Sequence, residues 1–319
     1  MVKKMVAALC LLAGQQLSAQ VKWVNMDTAF AGLPASVHVY RTQDPLDGKP
    51  NIAWYVEADL KDRSLIFSAD TTLNRRQTPS QFYERNHQPL LVVNCTFFSF
   101  ATNRNLNTVI RNGELVGYNI HSLPGKGKDT LTYRHPLGSA IGISRKRKAD
   151  VAWLYTDSSK RFAYARQESL SAWRDSVETP GFKTFTARSK NGSGFHKWKM
   201  QTAVGGGPVL LQNGEIKVTN EEEVKFTGKG LTDKHPRTAM GYTASGKLIV
   251  MVIEGRNPGV AEGASLEQEA RLLKDLGCAE ALNLDGGGSS CMLVNGKETI
   301  KPSDKQQRPV PAVFIISRK

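Results

Sequence analysis

Between residues 21 and 75, apolar and polar positions alternate over short runs, as in Ser36-Val37-His38-Val39-Tyr40 and Ile52-Ala53-Trp54-Tyr55-Val56. A period of two places successive side chains on opposite faces of a strand. Leu90-Leu91-Val92-Val93 and Leu248 to Ile253 are continuously apolar and read as buried strands, and the largely apolar run Ala279 to Leu284 reads as another. Two helices stand out. Thr78-Pro79 starts one, with proline at the first helical position; it runs to about Asn86 and stops before Pro89. Ser265 and Gln268 have the spacing of a capping box, Leu266, Leu273 and Leu276 share a face or nearly so, and Gly277 supplies the stop. Twice, then, a helix leads into a buried strand that ends in an unusual loop. The first loop is Asn94-Cys95-Thr96-Phe97-Phe98; the second is Asn283-Leu284-Asp285-Gly286-Gly287-Gly288-Ser289-Ser290.

Asn112-Gly113, Asn213-Gly214 and Asn295-Gly296 each sit beside apolar residues. Asn-Gly is a strong hairpin signal because both residues tolerate positive φ. Two of these hairpins follow glycine triplets, Gly205-Gly206-Gly207 and Gly286-Gly287-Gly288, roughly eighty residues apart, through common ancestry or convergent turn chemistry. The pattern predicts a mixed α/β domain of the α+β type, with a largely antiparallel central sheet and flanking helices. Residues 20–89 form its strand-rich N-terminal part and 90–319 its core. Residues 144–200 are charged and aromatic and read as an insertion, with a helix expected from Arg166 to Asp175. Asn191-Gly192-Ser193 is a flexible stretch and a glycosylation acceptor pattern.

The N-terminus changes the cellular picture. Lys3 and Lys4 precede an apolar run from Met5 to Ala13, and Leu17-Ser18-Ala19 suits cleavage after Ala19, so residues 1–19 read as an export signal. The expected product is periplasmic or extracellular and has no later segment apolar enough to span a bilayer. The chain of 319 residues has a formal charge of +14, and +12 without Lys3 and Lys4. Such a surplus attracts anions. The basic residues are scattered, however, and no nucleic-acid motif accompanies them. The one tight run, Arg145-Lys146-Arg147-Lys148, reads as a solvated turn. Cys95, Cys278 and Cys291 remain after cleavage, an odd number that suits no disulfide scaffold and no zinc motif.

Candidate chemistry gathers on four loops beside apolar strands. These are Asn94 with Phe97 and Phe98; Gly206-Gly207-Pro208; Arg237-Thr238-Ala239 with Glu254-Gly255-Arg256; and Asp285 with Gly286, Gly287, Gly288 and Ser289. Acids at two strand ends suit acid–base, nucleophilic or metal chemistry, and arginine forks suit phosphate or carboxylate. Arg237 and Arg256 also have a structural reading, as partners of Glu254 and Asp285. The glycine triplets lack the Lys-Ser/Thr of a phosphate-binding P-loop, Ser289 and Ser290 lack a nucleophile elbow, and the six histidines are dispersed.

Taken in order from about Leu90 to Val294, these segments resemble the phosphodiester glycosidase family. The matching marks are Asn94 with Phe97-Phe98, Gly206-Gly207-Pro208, Arg237-Thr238-Ala239 with Gly241, Gly255-Arg256, and Asn283 to Ser290. Two departures stand out: Cys95 where the family has glycine after the asparagine, and Glu254 where it has aspartate. The resemblance implies hydrolysis of the C1–O bond of a sugar-1-phosphodiester, with N-acetylglucosamine a candidate sugar. It implies Asp285 or Glu254 as the reacting carboxylate, and Arg237 and Arg256 on the phosphate. Asn94, Thr238, Ser289 and the glycines Gly206, Gly207, Gly286, Gly287 and Gly288 would make positioning contacts. The expected partner is a phosphorylated carbohydrate, not nucleic acid. No cofactor is required by the sequence; a divalent cation, the oligomeric state, and retention against inversion stay open. Two rivals remain, a non-catalytic binder of anionic glycans and a metal-dependent phosphodiesterase cleaving P–O.

Overall fold

The computed structural model describes residues 20–125, 130–175, 180–187 and 194–319. The proposed export segment and the Asn191-Gly192-Ser193 acceptor lie outside the described residues. Every strand pairing among the described residues is antiparallel. The fold is therefore mixed but sheet-rich, with few helices.

Three sheets carry the site. The largest has eight strands, ordered Val24–Asn25, Val37–Thr42, Ala53–Asp59, Lys247–Ile253, Arg237–Thr243, Cys278–Asn283, Val209–Gln212 and Glu215–Ile216. A five-stranded sheet has Leu91–Asn94 at its centre, between Met292–Val294 and Ala312–Arg318. A seven-stranded sheet includes Ala149–Tyr155, Gly138–Ile143, Thr202–Gly205 and Val109–Arg111 in that order.

Burial on both faces explains the continuous apolar runs. In Lys247–Ile253, Leu248, Val250 and Val252 join a core with Leu91, Val93 and Phe314 of the five-stranded sheet and Val151 and Trp153 of the seven-stranded one. The alternate residues Ile249, Met251 and Ile253 pack against Leu266, Ala270 and Leu273 of the helix Leu266–Asp275. On the outer face of the five-stranded sheet, Val92, Leu293 and Ile315 receive Phe82 from the helix Pro79–Arg85. The order is thus helix, sheet, paired sheets, helix. Both helices begin in complete capping boxes, Thr78 with Gln81 and Ser265 with Gln268. Each reciprocal box satisfies two backbone donors that the first helical turn leaves free.

All three Asn-Gly pairs turn hairpins with positive φ at both residues. The helix expected from Arg166 to Asp175 does not form. Its ends lie in two strands, Ala163–Arg166 and Trp173–Asp175, in different sheets. Trp173 packs edge-on against Phe185 at 4.7 Å and near His135, so tertiary burial overrides local helix propensity. The helix of this region is Phe182–Ala187, which supplies Phe185. The Arg145 to Lys148 run forms the turn between Gly138–Ile143 and Ala149–Tyr155.

Candidate active site

Register brings the candidate acids and arginines to one edge of the eight-stranded sheet. Arg237 opposes Ile253, so Arg237 starts its strand where Glu254 follows the end of its neighbour. Ala239 opposes Asn283, which puts Asp285 just beyond the same edge. The Arg237 strand lies between the other two, separating the Glu254 and Asp285 backbones by about two strand spacings, or ~10 Å.

The Asp285 loop is tied down from two sheets. The Asp285 N–H donates to the Cys95 carbonyl at 2.8 Å, and Asn94 Nδ2 donates to the Asp285 carbonyl at 2.5 Å. From the other side, the Leu284 N–H reaches the Thr238 carbonyl and the Gly287 N–H the Pro236 carbonyl, at 2.7 and 2.8 Å. Asn94 Oδ1 accepts from the Cys291 N–H and the Thr238 hydroxyl, both at 3.0 Å. Asn94 and Thr238 are fully buried. They hold the loop from beneath, with their polar atoms engaged by protein.

Asp285 itself is half-buried, but its Oδ2 is shut off from solvent and has no hydrogen-bond partner. Burial pushes its pKa up to about 7; the Ser289 hydroxyl, the Arg308 charge and the Gly286 N–H pull the other way. A carboxyl poised near neutrality can exchange protons at working pH.

Two guanidinium groups flank it. A Cβ on Gly287 would lie 2.9 Å from Arg256 Nη2, and φ at Gly287 is +62°. The positive φ favours glycine, and a larger residue would push the exposed Arg256 guanidinium aside. A Cβ on Gly288 would run into Arg308 and Asp304, and Arg308 Nη1 lies 3.4 Å from Ser289 Oγ. Arg256 is exposed and, among the described residues, has no carboxylate within salt-bridge distance. Arg308 pairs with Asp304.

Arg237 and Glu254 are placed differently. Arg237 is 2% exposed; its Nε donates to the Ala264 carbonyl at 2.8 Å, Nη2 to the Asp233 carbonyl at 3.2 Å, and its guanidinium lies over Phe226. It shares no salt bridge with Glu254 or Asp285 among the described residues. Glu254 is 4% exposed and accepts the Lys301 N–H at 3.1 Å, which fastens the polar segment carrying Asp304 and Arg308. Gly206 and Gly207 press against the Asp285 strand: the Gly207 N–H donates to the Asn283 carbonyl at 2.7 Å, and a Cβ on Gly206 would lie 2.3 Å from that same oxygen.

A family profile for phosphodiester glycosidases matches residues 87–317, most of the chain. The chain belongs to the phosphodiester glycosidase family. Over 106 residues it is 32% identical to N-acetylglucosamine-1-phosphodiester alpha-N-acetylglucosaminidase from Mus musculus, a match to 31% of this chain and 20% of that protein. A prophage-derived uncharacterized protein of Bacillus subtilis is 35% identical over 91 residues, 28% of this chain and 14% of its own length. Among solved structures, the zebrafish enzyme's catalytic domain, auto-inhibited by its pro-peptide, superposes with a TM-score of 0.59. It is 20% identical, with 91% of this chain and 85% of that chain covered. A hypothetical protein from Synechocystis gives a TM-score of 0.59 at 14% identity, covering 94% and 68%. At these identities the structural likeness is one of fold.

The departures from the phosphodiester glycosidase pattern can be read in the geometry. Cys95 does not have positive φ, so its loop position does not demand glycine, and its side chain is fully buried in the main core. The three thiols are free and buried, and burial raises all three pKa values, that of Cys278 to about 12.

Several groups at or near the candidate site carry no motif. Arg308 lies within the residues the family profile matches but outside the sequence motifs named above. Lys225 reaches over Phe97 at 5.4 Å, and burial lowers its pKa while Glu223 raises it. Glu223 is a buried strut whose carboxylate accepts from Ser139, Trp153, Val209 and Thr219. A cavity of about 270 Å³ is walled by Phe97, Phe98, Ile120, Pro136, Glu223 and Lys225; Asp285, Arg256 and Arg308 do not line it. Both rings line that cavity, and Phe98, 8% exposed, also packs in the cluster beneath helix Pro79–Arg85. Glu269, under Arg237, is fully buried with neither oxygen bonded, and burial pushes its pKa up to about 8 against the pull of Arg237. A run of charges in a loop or one glutamate in a helix gives no sequence signal for such placements. No cluster of three or more His, Cys, Asp or Glu able to hold a metal ion occurs among the described residues.

Proposed function

We propose that the chain hydrolyses the C1–O bond of a sugar-1-phosphodiester, releasing free sugar and a phosphomonoester. The observation that carries this reading is the Asp285 carboxyl: one oxygen buried and unbonded, a pKa near 7, and guanidiniums against both Gly287 and Gly288. A phosphomonoester leaves as a stable anion, so the reaction asks less of a general acid than of groups that neutralise phosphate. Arg256, exposed and without a salt bridge among the described residues, is assigned to the phosphate, together with Arg308. Asp285 is assigned as the base that takes a proton from the water attacking C1, while the C1–O electron pair leaves with the phosphate.

Asn94, Thr238 and Ser289 position the loop, and Glu254 and Arg237 brace the segments around it. Gly206 and Gly207 fit the Asp285 strand against the second sheet. The likeness to the mammalian N-acetylglucosamine-1-phosphodiester alpha-N-acetylglucosaminidase supports N-acetylglucosamine as the sugar. The apolar segment before Ala19 supports an exported product, and no helix among the described residues is long and apolar enough to cross a membrane.

The test compares wild type with Asp285→Asn and Arg256→Ala on N-acetylglucosamine-1-phosphodiesters. Asp285→Asn is expected to lose about 10²–10⁴-fold in kcat, the worth of a positioned base. Arg256→Ala is expected to lose about a hundredfold in kcat/KM. Wild-type rates in both folded variants would sink the assignment. Wild type that binds the diester without turning it over would make the chain a binder instead.

A further inference from the structure

We infer that the basic groove at the far end of the seven-stranded sheet holds an acidic polysaccharide chain. The strand Gly138–Ile143 begins at the candidate site, where the Gly206 N–H bonds the Ser139 carbonyl. It ends at Ile143, and the next residue, Ser144, lies about 17 Å from Ser139 at strand rise. There a groove of about 940 Å³ is lined by Arg145, Lys146, Lys148, Lys160, Arg161 and Lys199. Among the described residues, Glu114 is the one acidic residue in its lining, and the Lys160 charge also reaches Asp157. Among the described residues none of the six cations forms a salt bridge.

The Arg145 to Lys148 run is more than a solvated turn. Arg147 has φ +62°, donates to the Leu65 carbonyl at 2.6 Å and covers Phe67. That anchor fixes the turn, and Arg145, Lys146 and Lys148 are left exposed at the groove. Lys160, Arg161 and Lys199 come from two other segments and are exposed as well. Cations from three segments converging on one concavity concentrate positive potential, which recruits chains of repeated negative charge. Among the described residues, Phe162 is the only aromatic ring in the lining, and the Arg161 guanidinium lies over it at 5.4 Å. Single-stranded nucleic acid binds through open stacking faces. The groove presents charge without such a platform, which favours an acidic glycan. The inference needs no turnover at Asp285.

The experiment measures binding of a fluorescent polygalacturonate dodecamer, with a single-stranded DNA dodecamer alongside, across a salt series. Wild type is compared with Lys146→Glu/Lys148→Glu/Lys199→Glu and with a charge-matched control, Lys22→Glu/Lys61→Glu/Lys319→Glu; all six lysines are exposed. The groove variant is expected to bind at least tenfold more weakly, with a log K against log salt slope shallower by about 2. The control is expected to change less than threefold. The inference is overturned if wild type does not bind the glycan, if the groove variant binds as wild type does, if the control loses as much, or if DNA binds more tightly at equal salt.

Discussion

The two glycine triplets look alike on paper and do different work. Each precedes a strand and an Asn-Gly hairpin. Around Gly205-Gly206-Gly207 the would-be Cβ atoms meet mostly fixed groups: the Thr108 nitrogen at 2.8 Å, the Asn283 oxygen at 2.3 Å and the engaged Glu223 carboxylate at 2.3 Å. That triplet is a joint through which the chain passes from the seven-stranded sheet to the eight-stranded one. Around Gly287 and Gly288 the neighbours are the guanidiniums of Arg256 and Arg308. This triplet makes room for charge beside a carboxyl. The local code sets backbone shape; what reaches the glycines from distant segments sets the chemistry.

The largest effect that would sharpen this contrast comes from Asp285→Asn, which removes the chemistry and should also change stability. The Asp285 pKa is raised from 3.8 to about 7, so the folded state holds a proton that the unfolded state releases. Stability is therefore lost as pH rises from about 4 past 7. Asp285→Asn should melt higher than wild type at pH 8 and alike near pH 3.5. A lower melting temperature at pH 8 would contradict burial as the cause.

Next, Gly207→Ala should destabilise by about 2 kcal/mol or more, through φ of +115° and the Glu223 contact, with kcat per folded molecule largely kept. Gly287→Ala should do the reverse, losing kcat/KM by displacing Arg256 while costing less stability. Denaturant titration with kinetics on the same samples reads both, and equal profiles would erase the distinction between the triplets. Glu254→Gln keeps an acceptor for the Lys301 N–H and should cost about tenfold or less in kcat. A loss matching that of Asp285→Asn would make Glu254 a reacting acid. The smallest effect is that of Glu269→Gln. Its pKa is raised from 4.5 to about 8, so it too loses stability as pH rises through that window. The substitution should flatten the decline in melting temperature between about pH 5 and 8 without altering kcat.

Much of the local structure is legible in residue order. Ser265 with Gln268, the three Asn-Gly turns, and the apolar run from Leu248 to Ile253 each become the element their spacing predicts. Local chemistry decides those elements, so a short window carries them. Trp173 shows the limit, since its strand exists because His135 and Phe185 lie beside it. The candidate site is legible at Asp285 and Arg256, where glycines mark close approach. It is not legible at Arg308, Glu269 or Lys225, whose roles depend on contacts no motif records. The bond from Asn94 to Asp285 spans 191 positions, and only the assembled sheets make it.

The most direct test of the account follows oxygen during hydrolysis of an N-acetylglucosamine-1-phosphodiester in water enriched in ¹⁸O. Attack on carbon assisted by Asp285 predicts the label at C1 of the released sugar and none in the phosphate. Label in the phosphomonoester would mean P–O cleavage and would contradict the central claim.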